Sequence, residues 1–563
     1  MAAPPTAQGS PQASLPKSGA QASWLYGRGV DLLIGCCGIY TLSIPLLLAY
    51  SASTGSRQWP IALTILLAMA INAPHYGATL VRLYEQKEDR QKYVFFTVHV
   101  TLAVTALFFV ATRNVWLASL VITAYVTWSP WHFSAQNYGL LVMFLRRQGI
   151  AFDDTTKRLL YASFIFSTAM AIEGIQATSS DLVFAPATFR APNMPDVIQI
   201  AFLRDYASPI LWTTGALYLG CLSAALYRLR ASFGAGYGPI AALIVTQALF
   251  SAIPVAGARL FTSGELSLAF APVWLSMAHS AQYLWVSAYF AKRSNPQTSS
   301  ARFLGKAFLA GSGITVLPAL LFAPSLLGTR PWDAGLAGLV FAVVNLHHFI
   351  MDGAIWKLRD GRVGSVLLRS VEPSSATASQ AKTSTITSRL LPIGVWTACA
   401  LSVLVPLVDL YETEIAIPSA SKPAHIDAAL RKIRLVGRES LGLHNYVGQE
   451  YARLKQPTIA IPHFKRSLEL FPTPDAWTAL ANEYRNINET SLARAAYDAA
   501  LSIQPERLGA LLGAATVRAF DPKVPTRNDI AEARELLKRA IAAHPEHHDA
   551  RNMLNQLPGR PAT

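Results

Sequence analysis

The stretch AGLAGLVFAVVNLHHFIMDGAIWK, from Ala334 to Lys357, has the length and apolar character of a membrane-spanning helix. A helix of about 20 largely apolar residues crosses a bilayer. The second half of this stretch nevertheless carries His347, His348 and Asp352. Ionisable side chains are costly inside a membrane, so they generally face the interior of a helical bundle and mark a functional site. The stretch therefore predicts a membrane bundle with chemistry in its core.

The composition of the whole chain agrees with a membrane protein. Of its 563 residues, 52% are hydrophobic and only 14% are charged, whereas a soluble domain is about one quarter charged. The mean hydropathy is +0.30. The net charge is +15, but the basic residues cluster at the ends of apolar runs, where membrane topology accounts for them. The charge is therefore weak evidence for nucleic-acid binding. We predict an all-α protein with a polytopic membrane bundle.

The apolar runs divide the chain into three regions. Residues 1–28 are rich in Ala, Pro, Ser, Gly and Gln, a composition typical of a disordered tail. Residues 29–412 form the predicted transmembrane domain, which includes a loop rich in Ser and Thr at 367–389, and residues 425–557 form a predicted helical repeat domain. Eleven spans are predicted, at 30–52, 60–83, 94–112, 115–145, 159–178, 208–228, 238–258, 267–291, 303–327, 334–357 and 390–411.

The loops between these spans alternate in their content of Lys and Arg. The loops that follow the even-numbered spans are rich in them, and the opposite loops carry far fewer. Because basic loops remain on the cytoplasmic side, we expect the N-terminus to be cytoplasmic in the cell inner membrane. With eleven spans, the C-terminal domain then lies on the extracytoplasmic side.

Residues 441–557 show a repeating pattern. Pro472, Pro505 and Pro545 each close a similar unit, and the first two are 33 residues apart in the sequence. Within the units, small and large residues recur at corresponding positions: Gly448, Tyr451, Ala460, Phe464 and Ser467; Trp477, Ala481, Tyr484, Ala493, Tyr497 and Ala500; and Ala533, Leu537 and Ala540.

This pattern resembles the tetratricopeptide repeat, a unit of two antiparallel helices. The resemblance implies an α-solenoid with a groove that binds a protein or a peptide. A stabilising cap or a dimerisation surface remains the alternative role for the repeats.

Six histidines fall inside predicted spans. They are His75, His99, His132, His279, His347 and His348, and all of them lie in the predicted cytoplasmic halves of the spans. This shared depth predicts that His348 and Asp352 converge with His75, His132 and His279 on a metal; hydrogen-bonding contacts between helices are the alternative role of these histidines. His347 lies about 100° around the helix from His348, so it ligates only if a second helix or a second metal flanks it. His99 is the most peripheral candidate.

Most of these histidines have polar or aromatic neighbours that could orient them. Residues three or four apart share one face of a helix, and the partners of a ligating histidine fix its orientation. The candidates for this supporting role are Asn72, Gln136, Gln282, Asn345, Tyr76, Tyr138 and Tyr283.

Several histidines with a carboxylate suit iron or another transition metal. The chain has no HExxH, GxSxG, GxxxxGK[ST] or CxxCH motif, so the corresponding zinc protease, serine hydrolase, nucleotide-binding and haem sites are not predicted. In architecture the membrane domain is similar to the histidine-rich membrane desaturases and hydroxylases and to the Brp/Blh-type carotene-cleaving dioxygenases. That resemblance implies a non-haem iron oxidoreductase that acts on a lipid or a terpenoid.

Two other functions fit parts of the sequence. Several membrane glycosyltransferases combine many spans with repeats of this kind, but the first predicted extracytoplasmic loop, SASTGSRQWP, lacks the acidic residues that their chemistry uses. A non-enzymatic assembly or transport protein is the other alternative.

Overall fold

The structure is a computed structural model and describes most of the chain. The described residues are 23–43, 66–85, 87–177, 198, 200–232, 237–260, 270–295, 297–324, 326–328, 331–358, 361–368, 386–420, 422–521 and 525–557. Most of the predicted tail, residues 1–22, and residues 369–385 of the predicted Ser/Thr-rich loop lie outside them. Within this part of the chain every regular element is a helix, as the sequence predicts.

Fifteen helices precede the repeats in the described residues. They are α1 (Arg28–Val30), α2 (Ala73–Glu85), α3 (Lys87–Lys92), α4 (Thr101–Ala111), α5 (Val115–Arg147), α6 (Asp154–Ala177), α7 (Ala201–Asp205), α8 (Ala207–Leu229), α9 (Gly238–Leu260), α10 (Phe270–Ser294), α11 (Ser300–Leu321), α12 (Ala337–Ile355), α13 (Gly361–Leu368), α14 (Ile386–Ser402) and α15 (Leu404–Tyr411).

Among the described residues, five helical stretches are long and apolar enough to cross a membrane: Asp154–Ala177, Ala207–Ser232, Ser300–Leu321, Ala337–Ile355 and Pro392–Ala416. This is fewer than the eleven predicted. Residues 44–65, which contain parts of the first two predicted spans, lie outside the described chain. The predicted spans 94–112 and 238–258 coincide with shorter apolar helices. Helices α5 and α10 carry buried imidazole, amide and hydroxyl groups, which lower their apolar character.

Helix α12 lies at the centre of the bundle. Of the residues in its most apolar segment, 83% are buried, whereas only 17% are buried in the most apolar segments of Ala207–Ser232 and of Pro392–Ala416. It packs against α5 on one side and against α2, α4 and α11 on others. The stretch from Ala334 to Lys357 therefore contains the core helix of this part of the molecule.

Helix α5 is the longest described helix, with 33 residues. It begins at Val115 because the side chain of Asn114 accepts a hydrogen bond from the backbone N–H of Leu117. It continues through Pro130 and ends in the basic pair Arg146 and Arg147, whose charges suit the negative end of a helix dipole. This one helix therefore runs along the whole bundle core.

Helices α2 and α11 approach each other through two glycines. A Cβ atom on Gly77 would collide with the backbone oxygen of Ala307, and one on Gly311 would collide with the backbone of Ala73. Small residues let helix backbones pack closely in membrane bundles. This close contact fixes α2, which carries His75, against the rest of the bundle.

The C-terminal part is a series of antiparallel helices. They are α16 (Pro423–Leu435), α17 (Leu441–Arg453), α18 (Pro457–Leu470), α19 (Pro474–Asn486), α20 (Thr490–Ile503), α21 (Leu508–Ala519), α22 (Arg527–Ala543) and α23 (His548–Gln556). Helices α17 to α22 form three successive pairs, and α16 and α23 flank them. The three predicted repeat units correspond to these pairs.

The small residues of the repeats lie where the helices meet. Ala460, Ala481 and Ala493 are completely buried in one continuous apolar core. A Cβ atom on Gly448 would lie 2.8 Å from Cε1 of Phe464, so this glycine allows the large ring to fill the gap between α17 and α18. The alternation of small and large residues therefore sets the packing of the solenoid.

The repeat domain contacts the membrane bundle next to α12. The backbone N–H of Gly442 donates a hydrogen bond of 2.9 Å to Oδ2 of Asp333, and the N–H of Leu441 donates one of 3.2 Å to Oδ1. Nearby, the guanidinium of Arg438 lies 3.8 Å from the ring centroid of Trp332. The N-terminus of α17 thus rests on the carboxylate that precedes α12.

Candidate metal centre

Four imidazoles from four different helices meet inside the bundle. His75 of α2, His132 of α5, His279 of α10 and His348 of α12 each place one ring nitrogen so that all four nitrogens lie within 4.8 Å of one another. All four side chains are buried. Among the described residues these are the only histidine, cysteine or acidic side chains that form such a group.

The rings of these histidines are tightly packed. The His75 ring centroid lies 4.1 Å from that of His348 and 5.0 Å from that of His279. The His132 centroid lies 4.8 Å from that of His279 and 5.0 Å from that of His348. The adjacent rings meet edge to face. The four histidines therefore form one compact cluster, which we call the four-histidine centre.

Most ring nitrogens of the four-histidine centre have no hydrogen-bond partner. Both nitrogens of His75 and both of His279 are buried and unpaired, as are Nε2 of His132 and Nε2 of His348. A buried polar atom without a partner is costly, and such atoms in a native protein call for an explanation such as an ion. The unpaired nitrogens therefore fit a centre that binds an ion.

The spacing of the nitrogens fits a single metal ion. Nitrogen–metal bonds are about 2.1 Å long, so two nitrogens on opposite sides of one ion lie about 4.2 Å apart. The observed limit of 4.8 Å is close to this value. Small rotations of the side chains would bring all four nitrogens to bonding distance.

Asp352 lies beside the four-histidine centre, one turn after His348 on α12. Its Oδ2 is 3.2 Å from Nε2 of His348 and 4.0 Å from Nε2 of His132. The 3.2 Å contact lacks the direction of a hydrogen bond, so Nε2 of His348 still counts as unpaired. Asp352 is therefore placed to act as a further ligand or to balance the charge of a bound ion.

The other oxygen of Asp352 is held by two hydroxyl groups. Thr79 donates a hydrogen bond of 2.9 Å to Oδ1, and the phenol of Tyr283 donates one of 2.8 Å. The Thr79 hydroxyl also lies 2.9 Å from Nδ1 of His348 and 2.6 Å from the Tyr283 oxygen. These contacts fix both the carboxylate and the His348 ring, as partners of metal ligands generally do.

An aromatic and cationic layer closes this side of the centre. The indole N–H of Trp356 donates a hydrogen bond of 2.9 Å to the Tyr283 oxygen. The guanidinium of Arg82 stacks over the Trp356 ring at 3.7 Å and donates to the backbone oxygen of Ile355. This layer separates the centre from the end of the bundle that carries Arg82.

The predicted supporting residues Asn72, Asn345 and Tyr76 form a second hydrogen-bonded group. The Tyr76 hydroxyl donates to Oδ1 of Asn345 at 3.2 Å and to Oδ1 of Asn72 at 3.3 Å. The Tyr76 ring packs 4.8 Å from the His75 ring and 5.5 Å from the His348 ring. The two amides thus position an aromatic ring, and they do not bond the imidazoles themselves.

Gln136 and Gln282 link the helices that carry His132 and His279. Gln136 donates a hydrogen bond of 2.7 Å to Oε1 of Gln282 and one of 3.3 Å to the backbone oxygen of His279. Gln282 in turn donates to the backbone oxygen of Gly35 at 2.9 Å. These side chains hold α5 and α10 in register at the depth of the centre.

Three predicted site residues lie away from the four-histidine centre. His347 points to another face of α12, where Nε2 is 3.0 Å from the hydroxyl of Thr101, as its helical angle implies. His99 stacks on Phe95, and Tyr138 packs against Tyr161. The structure does not bring His347 or His99 into the ligand group, because their helix faces turn away from it.

Thr79, Phe349 and Trp356 also lie around the centre but are not among the residues predicted from the sequence. Thr79 lies four residues after His75 and Trp356 lies four residues after Asp352, so helical spacing could have indicated both. The Phe349 ring stacks on the His132 ring at 4.2 Å. No sequence pattern indicates that contact, since it joins two helices that are distant in the chain.

A second group of buried histidines, consisting of two residues, lies in the repeat domain. Nδ1 of His444 and Nδ1 of His463 are 3.3 Å apart, and Nε2 of His444 is 3.2 Å from Oε1 of Glu439. Burial alone raises the pKa of Glu439, but hydrogen bonds from Arg466 and His444 outweigh it and lower the pKa to about 2. Burial and the neighbouring His444 lower the pKa of His463 to about 4.

Comparisons with known proteins bear on the repeat domain. The tetratricopeptide repeat family matches residues 474–507, which correspond to helices α19 and α20. The chain therefore carries a C-terminal tetratricopeptide repeat, as the sequence predicts. No curated protein matches the chain.

Among solved structures, the chain is similar to one in the crystal structure of the APC/C hetero-tetramer Cut9-Hcn1. The two chains are 14% identical, the match covers 86% of this chain and 98% of that chain, and the TM-score is 0.23. A TM-score this low does not establish a shared fold.

Proposed function

We propose that the protein is an integral membrane oxidoreductase in which the four-histidine centre holds a metal ion, and that its substrate is a lipid or a terpenoid. The observation that carries the proposal is the convergence of four buried imidazoles within 4.8 Å, most of their nitrogens being unpaired. If these histidines only joined helices through hydrogen bonds, their nitrogens would be paired with one another or with neighbouring amides. A metal ion would account for one nitrogen of each of the four rings.

Iron is the proposed metal, and His75, His132, His279 and His348 are its proposed ligands, with Asp352 beside them. Imidazole and carboxylate ligands suit non-haem iron as well as other transition metals. When bound, iron would supply the redox chemistry and the site at which dioxygen is activated. The chain itself orients the ligands through Thr79 and Tyr283, and it excludes water by burying the centre.

The repeat domain supports a role in binding a protein partner. We propose that the partner is a protein segment or a peptide that lies along the solenoid, as in other arrays of this family. A cleft of about 500 Å³ between α20 and α22 is lined by both acidic and basic residues, among them Asp498, Arg518 and Glu532. Such mixed charges suit a polar peptide better than an apolar one.

The proposed location is the cell inner membrane, with the N-terminus in the cytoplasm and the repeats outside it. Contacts near the helix ends support this topology. Ion pairs join residues close to the ends that the basic-residue rule places in the cytoplasm: Arg362 of α13 with Asp89 of α3 at 3.1 Å, and Lys306 of α11 with Glu85 of α2. At the other ends, the repeats rest on Asp333, just before α12, which the same rule places outside.

Elemental analysis of detergent-purified protein tests the metal. We expect about one iron per chain in the wild type, by the stoichiometry of one four-imidazole site, and its loss in a His132/His279/His348 triple alanine variant. A matched His444/His463 double alanine variant should keep the metal. Size-exclusion profiles and helical circular dichroism would show whether each variant is folded.

The oxidoreductase activity needs a separate measurement. Protein loaded with iron would be incubated with a membrane lipid extract, a reductant and dioxygen, and oxygenated products would be sought by mass spectrometry. Products that require both the metal and dioxygen would support the proposal. A loaded, folded protein that forms no product from lipid or terpenoid extracts would contradict the oxidoreductase assignment and leave a metal-binding membrane protein.

A further inference from the structure

A mainly apolar cavity of about 240 Å³ opens beside the four-histidine centre. Trp128, Trp131 and Phe349 supply aromatic walls, and the lining also reaches His132 and Asp352. Trp128 is an exposed residue, so the cavity communicates with the outside of the bundle. It thus joins the surface of the bundle to the proposed metal site.

The cavity extends along α5. Its lining follows one face of this helix from Trp128 to Met143, which is about 22 Å along the axis at 1.5 Å per residue. A volume of about 240 Å³ spread over that length suits a single extended chain better than a fused ring system. Among the described residues that line the cavity there is no Lys or Arg, so they offer no cationic side chain to pair with a phosphate or a carboxylate.

Two glycines in the lining have no packing reason to be glycine. Gly139 of α5 and Gly353 of α12 both line the cavity, and a Cβ atom on either would meet no atom within 4 Å. Neither has the positive φ angle that favours glycine. They differ in this from Gly77 and Gly311, where a Cβ atom would strike a neighbouring backbone.

Glycine inside a helix costs about 0.5–1 kcal/mol relative to alanine. At Gly139 and Gly353 no close helix contact offsets that cost. The two glycines provide open volume on two of the helices that line the cavity, α5 and α12. His132 also lines the cavity, one turn along α5 from Trp128, and its buried Nε2 has no hydrogen-bond partner.

We propose that the cavity holds the extended, unbranched hydrocarbon chain of a neutral membrane lipid next to the four-histidine centre, and that Gly139 and Gly353 determine which chains fit. The assignment rests on the proposed oxidoreductase function, whose substrate it narrows from lipids and terpenoids to an unbranched chain. The lipid would enter from the bilayer beside Trp128, and the chain would lie along α5 with one segment against His132.

The test is photo-crosslinking of the full-length protein in lipid nanodiscs. The probe is eicosanol that carries a diazirine group in its chain, and labelled peptides are mapped by mass spectrometry. We expect labelling on the segment of α5 from Trp128 to Met143. In Gly139→Leu and Gly353→Leu the labelling should fall by at least about tenfold, the scale on which an apolar pocket rejects a misfit of a few methylene groups.

Gly220→Leu is the matched control. Gly220 is an exposed glycine of the membrane helix α8, and a Cβ atom there also meets nothing within 4 Å, but it does not line the cavity. This variant should be labelled like the wild type. Gly139→Ala and Gly353→Ala, which add a single methyl group, should give intermediate labelling and guard against a folding defect in the leucine variants.

The same samples are analysed for metal, so that the two proposals can fail separately. Equal labelling of wild type and both leucine variants would overturn the cavity assignment. Preferential labelling by a diazirine-bearing geranylgeraniol, which has the same number of carbon atoms but a branched chain, would overturn the choice of an unbranched chain. Glycine-dependent labelling by the eicosanol probe in a protein without metal would support the cavity assignment and contradict the metal centre.

Discussion

The two buried histidine groups of this protein differ in how their nitrogens are satisfied. In the repeat domain, His444 contacts both His463 and Glu439, and Arg466 binds the same carboxylate at 2.8 Å. In the membrane bundle, four histidines lie close together, yet His75 and His279 have no hydrogen-bond partner on either nitrogen. Both groups are buried, but only one is left polar and unpaired.

This difference shows that a cluster of buried histidines does not by itself indicate a metal site, and that the pairing of the ring nitrogens has to be considered. A pair of imidazoles with a carboxylate in the repeats is complete without an ion, because each partner satisfies another. In the four-histidine centre most of the buried nitrogens lack partners, which is costly, and the proposed ion would satisfy one nitrogen of each ring. Each of the following predictions separates a functional role of the membrane group from a structural role of the repeat pair.

The largest effect is expected from His348→Ala. Loss of one of four ligands should lower the affinity for iron by at least about 100-fold, because the effect should exceed the 10–100-fold loss that removing an outer-shell partner causes. Competition with a chelator of known affinity would measure it. His463→Ala is the control, and a similar loss of affinity in this variant would erase the distinction between the two histidine groups.

The hydrogen-bond partners of the centre should have a smaller effect on the metal. Thr79→Val removes the hydroxyl beside His348 and Asp352 but preserves the shape of the side chain, and Tyr283→Phe removes the second donor to Asp352. We expect each to weaken metal binding by about 10–100-fold, the usual range for outer-shell partners. Unchanged affinity in both variants, measured with the same chelator, would show that Asp352 does not contribute to the site.

Acid should destabilise the repeat domain through His463. Its pKa of about 4 is below the ordinary value of 6.5, so the unfolded chain binds more protons between these values. The stabilisation is therefore complete above about pH 6.5 and is lost as the pH falls toward 4, by about 1–2 kcal/mol after allowing for solvent screening.

Hydrogen exchange of the segment 457–470 in the full-length protein would measure this effect, at about pH 7 and about pH 5. His463→Phe preserves the stacking on Tyr451, whose ring is 5.8 Å away, but cannot titrate. It serves as the reference at each pH, which removes the intrinsic pH dependence of exchange. Identical acid sensitivity of the wild type and this variant would assign the effect to groups other than His463.

The smallest effect is expected where the two regions meet. Asp333→Ala removes the carboxylate that accepts hydrogen bonds from the backbone of Leu441 and Gly442. Loss of an acceptor at a helix N-terminus costs about 1 kcal/mol. We expect faster proteolysis around residues 417–440 with unchanged metal content. Loss of metal in this variant would show that the repeats and the four-histidine centre are coupled.

The fold of the repeats could be predicted in detail because it is local. Each unit packs on its neighbour, so Ala481, Tyr497 and Ala500 occupy the buried positions that their spacing indicates. The same holds for the central membrane helix, whose length and apolar run are visible in the sequence. The number of spans is less clear: five stretches of the described residues are long and apolar enough to cross a membrane, against eleven predicted. Polar residues buried in α5 and α10 make these helices less apolar than spans that face lipid.

The candidate site could be predicted only in part. Depth in the membrane selected His75, His132, His279 and His348 correctly as neighbours, but it also selected His99. Depth fixes the position of a residue along a helix axis and not the direction in which its side chain points. That direction depends on contacts between distant segments, such as the one between Thr79 and Asp352, which are separated by 273 residues.

X-ray absorption spectroscopy of the purified, iron-loaded protein would test the central claim most directly. The account predicts an iron centre with four imidazole nitrogens at about 2.1 Å, identified by the outer-shell scattering of the rings, and the same spectrum in the His444/His463 double alanine variant. Iron without imidazole scattering, or a folded protein that binds no transition metal after reconstitution, would contradict it. The four histidines would then be polar contacts between helices.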